Sequence, residues 1–224
     1  MSPSAPPLDA LRHRRPDLFQ SPGFWRSRWS DVVAQAGEVS TGKVETIGRS
    51  AGGSEIPAFF YGEPEPVAPT ATISSAMASD RPGSFYDPKE RKKPSLALIG
   101  SVHGGETEGI AFCLNLIRLL ETGCDWRGGK WPGLREKVER FRLSIIPCLN
   151  PDGRQTAAVD HLNGADLETL FLVQQGIRAD GTLFRGRQVM ETQPIPPGFL
   201  RFMGGYYNAE GVNLQVDDFF GPKI

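Results

Sequence analysis

The sequence predicts an α/β domain built on a mixed, largely parallel central sheet with helices on both faces, and three observations predict it. Two short apolar runs without charge, residues 96–102 and 143–149, have the composition of strands buried on both faces. Between them Ile110, Cys113, Leu114, Ile117 and Leu120 recur at the spacing of one helix face, which stops near Gly123. Strand, helix, strand in that order implies a parallel crossover. Ligands in open α/β sheets collect beyond the carboxyl ends of the strands, and His103 and Asn150 stand at those two ends.

The remaining elements follow in chain order. Residues 1–22 carry Pro3, Pro6, Pro7, Pro16 and Pro22 around the basic cluster His13-Arg14-Arg15, and read as an N-terminal arm or loose cap. From residue 23 to 224 the chain reads as a single domain segment. Phe24, Trp25, Trp29, Val32 and Val33 have helical spacing. Residues 44–61 read as two strands around a turn at 50–54, where glycine supplies backbone freedom. A proline-broken loop over 63–94 ends in Lys89-Glu90-Arg91-Lys92-Lys93, a solvated face before a buried strand. A short helix over 134–140 leads into the second apolar run. Residues 155–207, rich in glycine and with Pro194, Pro196 and Pro197, read as an inserted lobe or long loop on the substrate side.

A chain of 224 residues with 39% hydrophobic content is enough for one sizeable core. The net charge of −1 gives no electrostatic reason to expect nucleic acid or an anionic membrane as a partner. No apolar run approaches the roughly 20 residues that span a bilayer, and the first 20 residues hold no signal-peptide core. The expectation is a cytoplasmic protein. Cys113, Cys124 and Cys148 are odd in number and lack a Cys-x-x-Cys spacing, so neither a zinc knuckle nor a disulfide framework is expected.

His103-Gly104-Gly105-Glu106 sets an imidazole and a carboxylate three residues apart on the strand-to-helix turn. Both are zinc donors, and Gly104 and Gly105 are expected to let the backbone turn sharply and leave room for a substrate. The same residues also suit an ordinary helix N-terminus, with Glu106 and Glu108 complementing its dipole. Two further motifs weigh on the choice: Asn150-Pro151-Asp152-Gly153 after the second run, and Asn208-Ala209-Glu210-Gly211-Val212-Asn213-Leu214. Together with residues 47–57, which read as the paired strands preceding the first motif, they resemble in order the zinc metallocarboxypeptidase family over roughly 44–221.

The resemblance implies zinc, with His103 and Glu106 as ligands, and hydrolysis of an amide bond in a peptide or peptide-like substrate. It implies a second histidine and a catalytic glutamate further along. The chain ends at Ile224 before either, so it is expected to be truncated at the C-terminus, with half of an active site and little activity alone. His161, in a loop, matches no family ligand position. The family's third motif commonly has an aspartate where Asn213 stands, supporting a zinc-bound histidine; Asn213 keeps a hydrogen bond but no charge. Val216 falls where the family grips a terminal carboxylate with arginine, and Gln215 is left as the substrate-binding residue. Arg201 is the choice for the oxyanion-stabilising arginine, ahead of Arg187 and Arg154, because it stands closest before the third motif. Asn150-Pro151-Asp152-Gly153 is read as a turn at the floor of the site. A deacylase or amidohydrolase of the same fold, and a non-catalytic binding module with a degenerate site, are the competing readings.

Overall fold

The computed structural model describes residues 7–63, 93–186 and 192–215. Strands β1 (Lys43–Arg49), β2 (Glu55–Tyr61), β3 (Ser95–Ile99) and β4 (Arg142–Ile146) form one sheet in the order β1-β2-β4-β3. The sheet is mixed. Strands β3 and β4 pair in parallel, Leu98 opposite Ile145, while β1–β2 and β2–β4 are antiparallel, so among the described strands the parallel share is smaller than the sequence predicts. The turn at Ser50–Ser54 folds 43–61 into a hairpin, which makes β1 and β2 antiparallel to each other.

Helix α2 (Trp29–Glu38) and helix α3 (Thr107–Thr122) pack on one face of this sheet. The spaced apolar residues of α3, Ile110, Cys113, Leu114, Ile117 and Leu120, are all buried there against Val32, Phe59, Leu143 and Ile145. Each full burial of this kind contributes about 2 kcal/mol before chain entropy is charged against it. Gly123 ends α3 in the left-handed region at φ 77°, its N–H bonding Leu119 O. The opposite row, Phe60, Ser144, Ala97 and Ile99, joins none of the apolar clusters, and Ile99 is 52% exposed. The helices whose apolar residues join the sheet cluster, α2 and α3, do so on one face.

The segment read as an arm is packed from Pro7 onward. Helix α1 (Pro7–Arg14) and a 3-10 turn (Pro16–Phe19) bury Leu11, Leu18 and Phe19 against Ala157, Val159, Leu172, Val173 and Ile177. Prolines and arginines dominate that stretch, yet three apolar residues on one side suffice to dock it. The expected lobe over 155–207 supplies the other half of this second core. Its described part contains α6 (Leu167–Gln174), capped by Asp166 accepting from Thr169 N at 2.7 Å, and a two-stranded ribbon of β5 (Gly176–Arg178) and β6 (Leu200–Met203). Two short helices flank β4 in the chain: α4 (Pro132–Val138), on the surface before it, and α5 (Pro151–Thr156), following it.

Candidate metal centre

The parallel strands deliver their two C-terminal ends side by side: Gly100 N bonds Ile146 O, Leu149 N bonds Gly100 O, and Asn150 N bonds Ser101 O. At the exit of β3 Ser101 adopts φ 48°, an uncommon conformation for a residue with a side chain. Its buried hydroxyl donates to His103 O at 3.0 Å, which fixes the turn that presents the imidazole. Glu106 N bonds His103 O at 3.0 Å and closes the loop.

His103 is 5% exposed. Its Nδ1 is 2.7 Å from Glu106 Oε1, and its Nε2 is 3.1 Å from Asn213 Oδ1. Tyr206 stacks on the ring, centroids 4.1 Å apart at 26°. Asn213 is itself fixed, its N–H donating to Gln193 Oε1 at 2.8 Å and its Oδ1 also accepting Gln215 N at 3.1 Å. One face of the imidazole is therefore covered, one nitrogen is oriented by an amide, and the other faces a carboxylate that is half exposed. Both ring nitrogens thus face oxygen atoms, and in metal sites an acceptor on one nitrogen turns the lone pair of the other toward the metal.

The glycines of the loop serve close packing. Neither Gly104 nor Gly105 has a positive φ. A Cβ on Gly104 would lie 1.9 Å from the Gly153 carbonyl carbon, and one on Gly105 2.5 Å from Gln174 Oε1. Gly104 N bonds Gly205 O at 2.6 Å, so the loop is clamped between α5 and the backbone after β6. The backbone does turn sharply there, with Glu106 N bonding His103 O, as expected; Gly104 has the further reason that the backbones of α5 and of Gly205 meet it.

Asn150-Pro151-Asp152-Gly153 does more than turn the chain. Asn150 caps α5, accepting Gly153 N at 2.9 Å. Asp152, nearly buried, accepts Ser50 Oγ at 2.6 Å, Gly52 N at 2.9 Å and Ala209 N at 3.1 Å, joining the β1–β2 turn to the third motif. Arg154, 2% exposed, donates from Nη1 to Gly104 O and Ala157 O, both 2.9 Å, and from Nη2 to Val159 O. Sequence reasoning weighed Arg154 only as an oxyanion candidate and missed Tyr206. Arg154 follows the second motif directly and Tyr206 precedes the third by two residues, and that adjacency is the only signal either offers.

Arg201 is not brought to the pair. It is exposed on β6, its guanidinium 3.8–4.0 Å from the Cβ position of Gly181 and near enough to Asp180 to help hold that carboxyl below its usual range, behind the larger effect of the Thr182 hydrogen bonds. Proximity in sequence to the third motif misled, because β6 runs antiparallel to β5 and carries residue 201 back along the ribbon, away from Gly204 and Tyr206. Val216 and Arg187 lie outside the described residues. Gln215 is exposed beside Asn213. His161 sits in a loop, its Nδ1 accepting Asn163 N at 3.3 Å.

A cleft of about 660 Å³ opens beside the pair, bordered by Gly105, Glu106, Glu108, Trp25, His161 and Gln174. The donor set suits zinc in kind, one imidazole nitrogen and one carboxylate oxygen 2.7 Å apart. Among the described residues no group of three His, Cys, Asp or Glu side chains could hold a metal. Cys113 and Cys148 are buried in the sheet core, and burial pushes both thiols up to about 12, far from the thiolate that binds metal.

The zinc carboxypeptidase family model matches residues 29–168, more than half of the chain, and the chain belongs to that family. Carboxypeptidase SOL1 of Arabidopsis thaliana is 37% identical over 93 residues, which cover 42% of this chain and 17% of that protein. The carboxypeptidase N catalytic chain of Homo sapiens is 29% identical over 105 residues, 42% of this chain and 21% of that one. A metallo-carboxypeptidase crystal structure from Burkholderia cenocepacia superimposes with a TM-score of 0.39 at 23% identity, covering 56% of this chain and 28% of the other. The chain thus spans about a fifth or less of the length of these curated relatives.

Proposed function

We propose that this chain supplies part of a zinc-dependent site that hydrolyses an amide bond in a peptide or peptide-like substrate. The observation that carries the proposal is His103, buried at a strand end with Glu106 on one ring nitrogen and Asn213 on the other. In this reading His103 Nδ1 and Glu106 are zinc ligands. Zinc, when bound, supplies Lewis-acid activation of water and of a carbonyl oxygen. Asn213 holds the proton on Nε2, so that the lone pair of Nδ1 faces the metal position. Tyr206 and the glycine contacts fix the ring and exclude water from its far side. The cleft beside Glu106 gives an extended substrate room to approach without disturbing the sheet.

A catalytic zinc has three protein ligands, and two are provided by the described residues. Held by two ligands the metal is under-coordinated, and activity by this chain alone is accordingly proposed to be low. The test is zinc titration of the purified chain by calorimetry, with X-ray absorption to read the ligand set, alongside hydrolysis of acylated dipeptides. Binding with nitrogen and oxygen scatterers that disappears in His103→Ala supports the reading. Zinc held as tightly by His103→Ala as by the unaltered chain overturns it.

A further inference from the structure

The cleft of about 660 Å³ beside the metal pair has an apolar wall, made by Phe24, Trp25, Leu162 and Leu170, all of them half-buried. That wall is held from behind. Trp25 Nε1 donates to Asp160 O at 2.9 Å, Asn115 Nδ2 donates to Phe24 O at 3.1 Å, and the Arg127 guanidinium lies 3.9 Å from the centre of the Phe24 ring. A pocket whose aromatic side chains are already fixed demands little ordering when a ligand enters.

Helix α6 adds a polar group to this wall. Leu170 and Gln174 stand four residues apart on one face of the helix and both border the cleft, while Leu172 and Val173 turn into the second core. Gln174 is 8% exposed, and its carboxamide makes no hydrogen bond among the described residues, with Oε1 buried and unpartnered. A Cβ on Gly105 would lie 2.5 Å from that oxygen, so the amide rests on the loop that carries His103 and Glu106. A buried amide without a partner is costly. The main chain of a peptide, which offers one donor and one acceptor per residue, matches it in kind. The charged groups Glu108 and Arg127 are opposite in sign and together favour neither an acidic nor a basic ligand.

We infer that this cleft sets the substrate class: it takes a large apolar side chain next to the amide that is cleaved, while the Gln174 carboxamide hydrogen-bonds the main chain beside it. An aromatic side chain suits Phe24 and Trp25 best, because rings gain from offset and edge contacts beyond the area they bury. The assignment deepens the amide-hydrolysis reading and rests on it for the fate of the bound group. Leu170 and the two aromatic residues are its specificity determinants, and Gln174 places the main chain.

The probes are N-acetylphenylalaninamide, N-acetylalaninamide and N-acetyllysinamide, titrated into the isotope-labelled chain once with chelator and once with zinc. NMR follows the Trp25 indole N–H and the Gln174 carboxamide. Saturable shifts at both groups are expected, with the phenylalanine probe at least about tenfold tighter than the alanine probe, which is about 1.4 kcal/mol, and the lysine probe no tighter than alanine. Leu170→Glu, a change that suits a helix, is expected to remove the preference for phenylalanine. Gln174→Leu is expected to weaken all three probes alike and keep that preference. Leu167→Glu, on the same helix at a 68% exposed position outside the cleft, should bind as the unaltered chain does. Equal affinity for the three probes, a preference for lysine, or the full preference in folded Leu170→Glu overturns the assignment. The chelator arm reads the cleft without metal, so a failure of zinc binding leaves the selectivity visible and a failure of selectivity leaves zinc binding visible.

Discussion

The two ends of helix α3 each carry a glutamate, and the two are held in opposite ways. Glu121 at the C-terminal end is saturated: Oε2 accepts Ser40 N, Ser40 Oγ and Thr41 N, and Oε1 accepts Thr41 Oγ1, Gly42 N and Tyr61 OH, all between 2.8 and 3.0 Å. Glu106 at the N-terminal end has one partner, His103, and leaves half its side chain in solvent. A carboxylate with every lone pair occupied is a pin between elements. One with a single partner and open space beside it retains capacity for a ligand. The same residue type on one helix is thus structural at one end and available at the other, and the hydrogen-bond count separates them where sequence does not.

The largest effect that sharpens the contrast is expected at the N-terminal end. Gly104→Ala drives a Cβ to 1.9 Å from the backbone of Gly153, where no flexible side chain can give way. It should cost about 3 kcal/mol or more in urea unfolding. Gly123→Ala at the other end meets no atom within 4 Å and is charged only for its φ of 77°, about 1 kcal/mol. Equal costs would show that the three-backbone junction is looser than its contacts indicate.

Next is Glu121 itself. Burial alone would raise its carboxyl, but the amides of Ser40, Thr41 and Gly42 with Tyr61 OH outweigh it and hold the pKa down to about 2. A depressed carboxyl contributes stability that is complete above its unfolded value, about 4.3, and is lost as pH falls toward 2. Allowing for solvent screening, Glu121→Gln should cost about 2 kcal/mol at pH 7 and flatten the acid limb between pH 5 and about 2. Urea midpoints across that range measure it. Its zinc affinity should not change, because the ends of α3 do separate work.

At the metal end Asn213→Asp should act in the other direction. A carboxylate on Nε2 raises the basicity of the ring where an amide only orients it. Zinc affinity should rise by about tenfold, the lower edge of what such partners contribute in metal sites, with Asn213→Leu lowering it. A calorimetric titration of both variants decides the point. Unchanged affinity in both would place Asn213 in a purely packing role.

The sheet, the α3 face and the meeting of His103 with Asn213 were legible because strand ends and helical spacing are local signals that survive folding. The packed N-terminus was not, since Leu11, Leu18 and Phe19 find their partners about 150 residues away in 157–177. The turn at Gly104 and Gly105 was legible, but the close approach at Gly104 was not. A clash with Gly153 is a tertiary fact, and sequence spacing carries no trace of it. The two roles of Asp152 and Arg154 were hidden in what looked like a turn motif, because each links segments 50 to 100 residues apart.

The smallest expected effect tests where that reading failed. Arg201 was favoured by its nearness to the third motif, whereas the fold places its guanidinium beside Gly181 and Asp180 on the ribbon. An exposed arginine with these neighbours contributes little, so Arg201→Ala should shift stability by no more than about 0.5 kcal/mol. Zinc affinity should match that of the unaltered chain, since none of the three residues around the imidazole touches it. Arg154→Lys supplies the counterpart: a lysine lacks the planar fork that reaches Gly104, Ala157 and Val159 together, and it should loosen the metal loop measurably. Should Arg201→Ala instead weaken zinc binding while Arg154→Lys leaves it intact, the ribbon would have to sit against the metal loop in solution, and the division between a working and a structural arginine would be reversed.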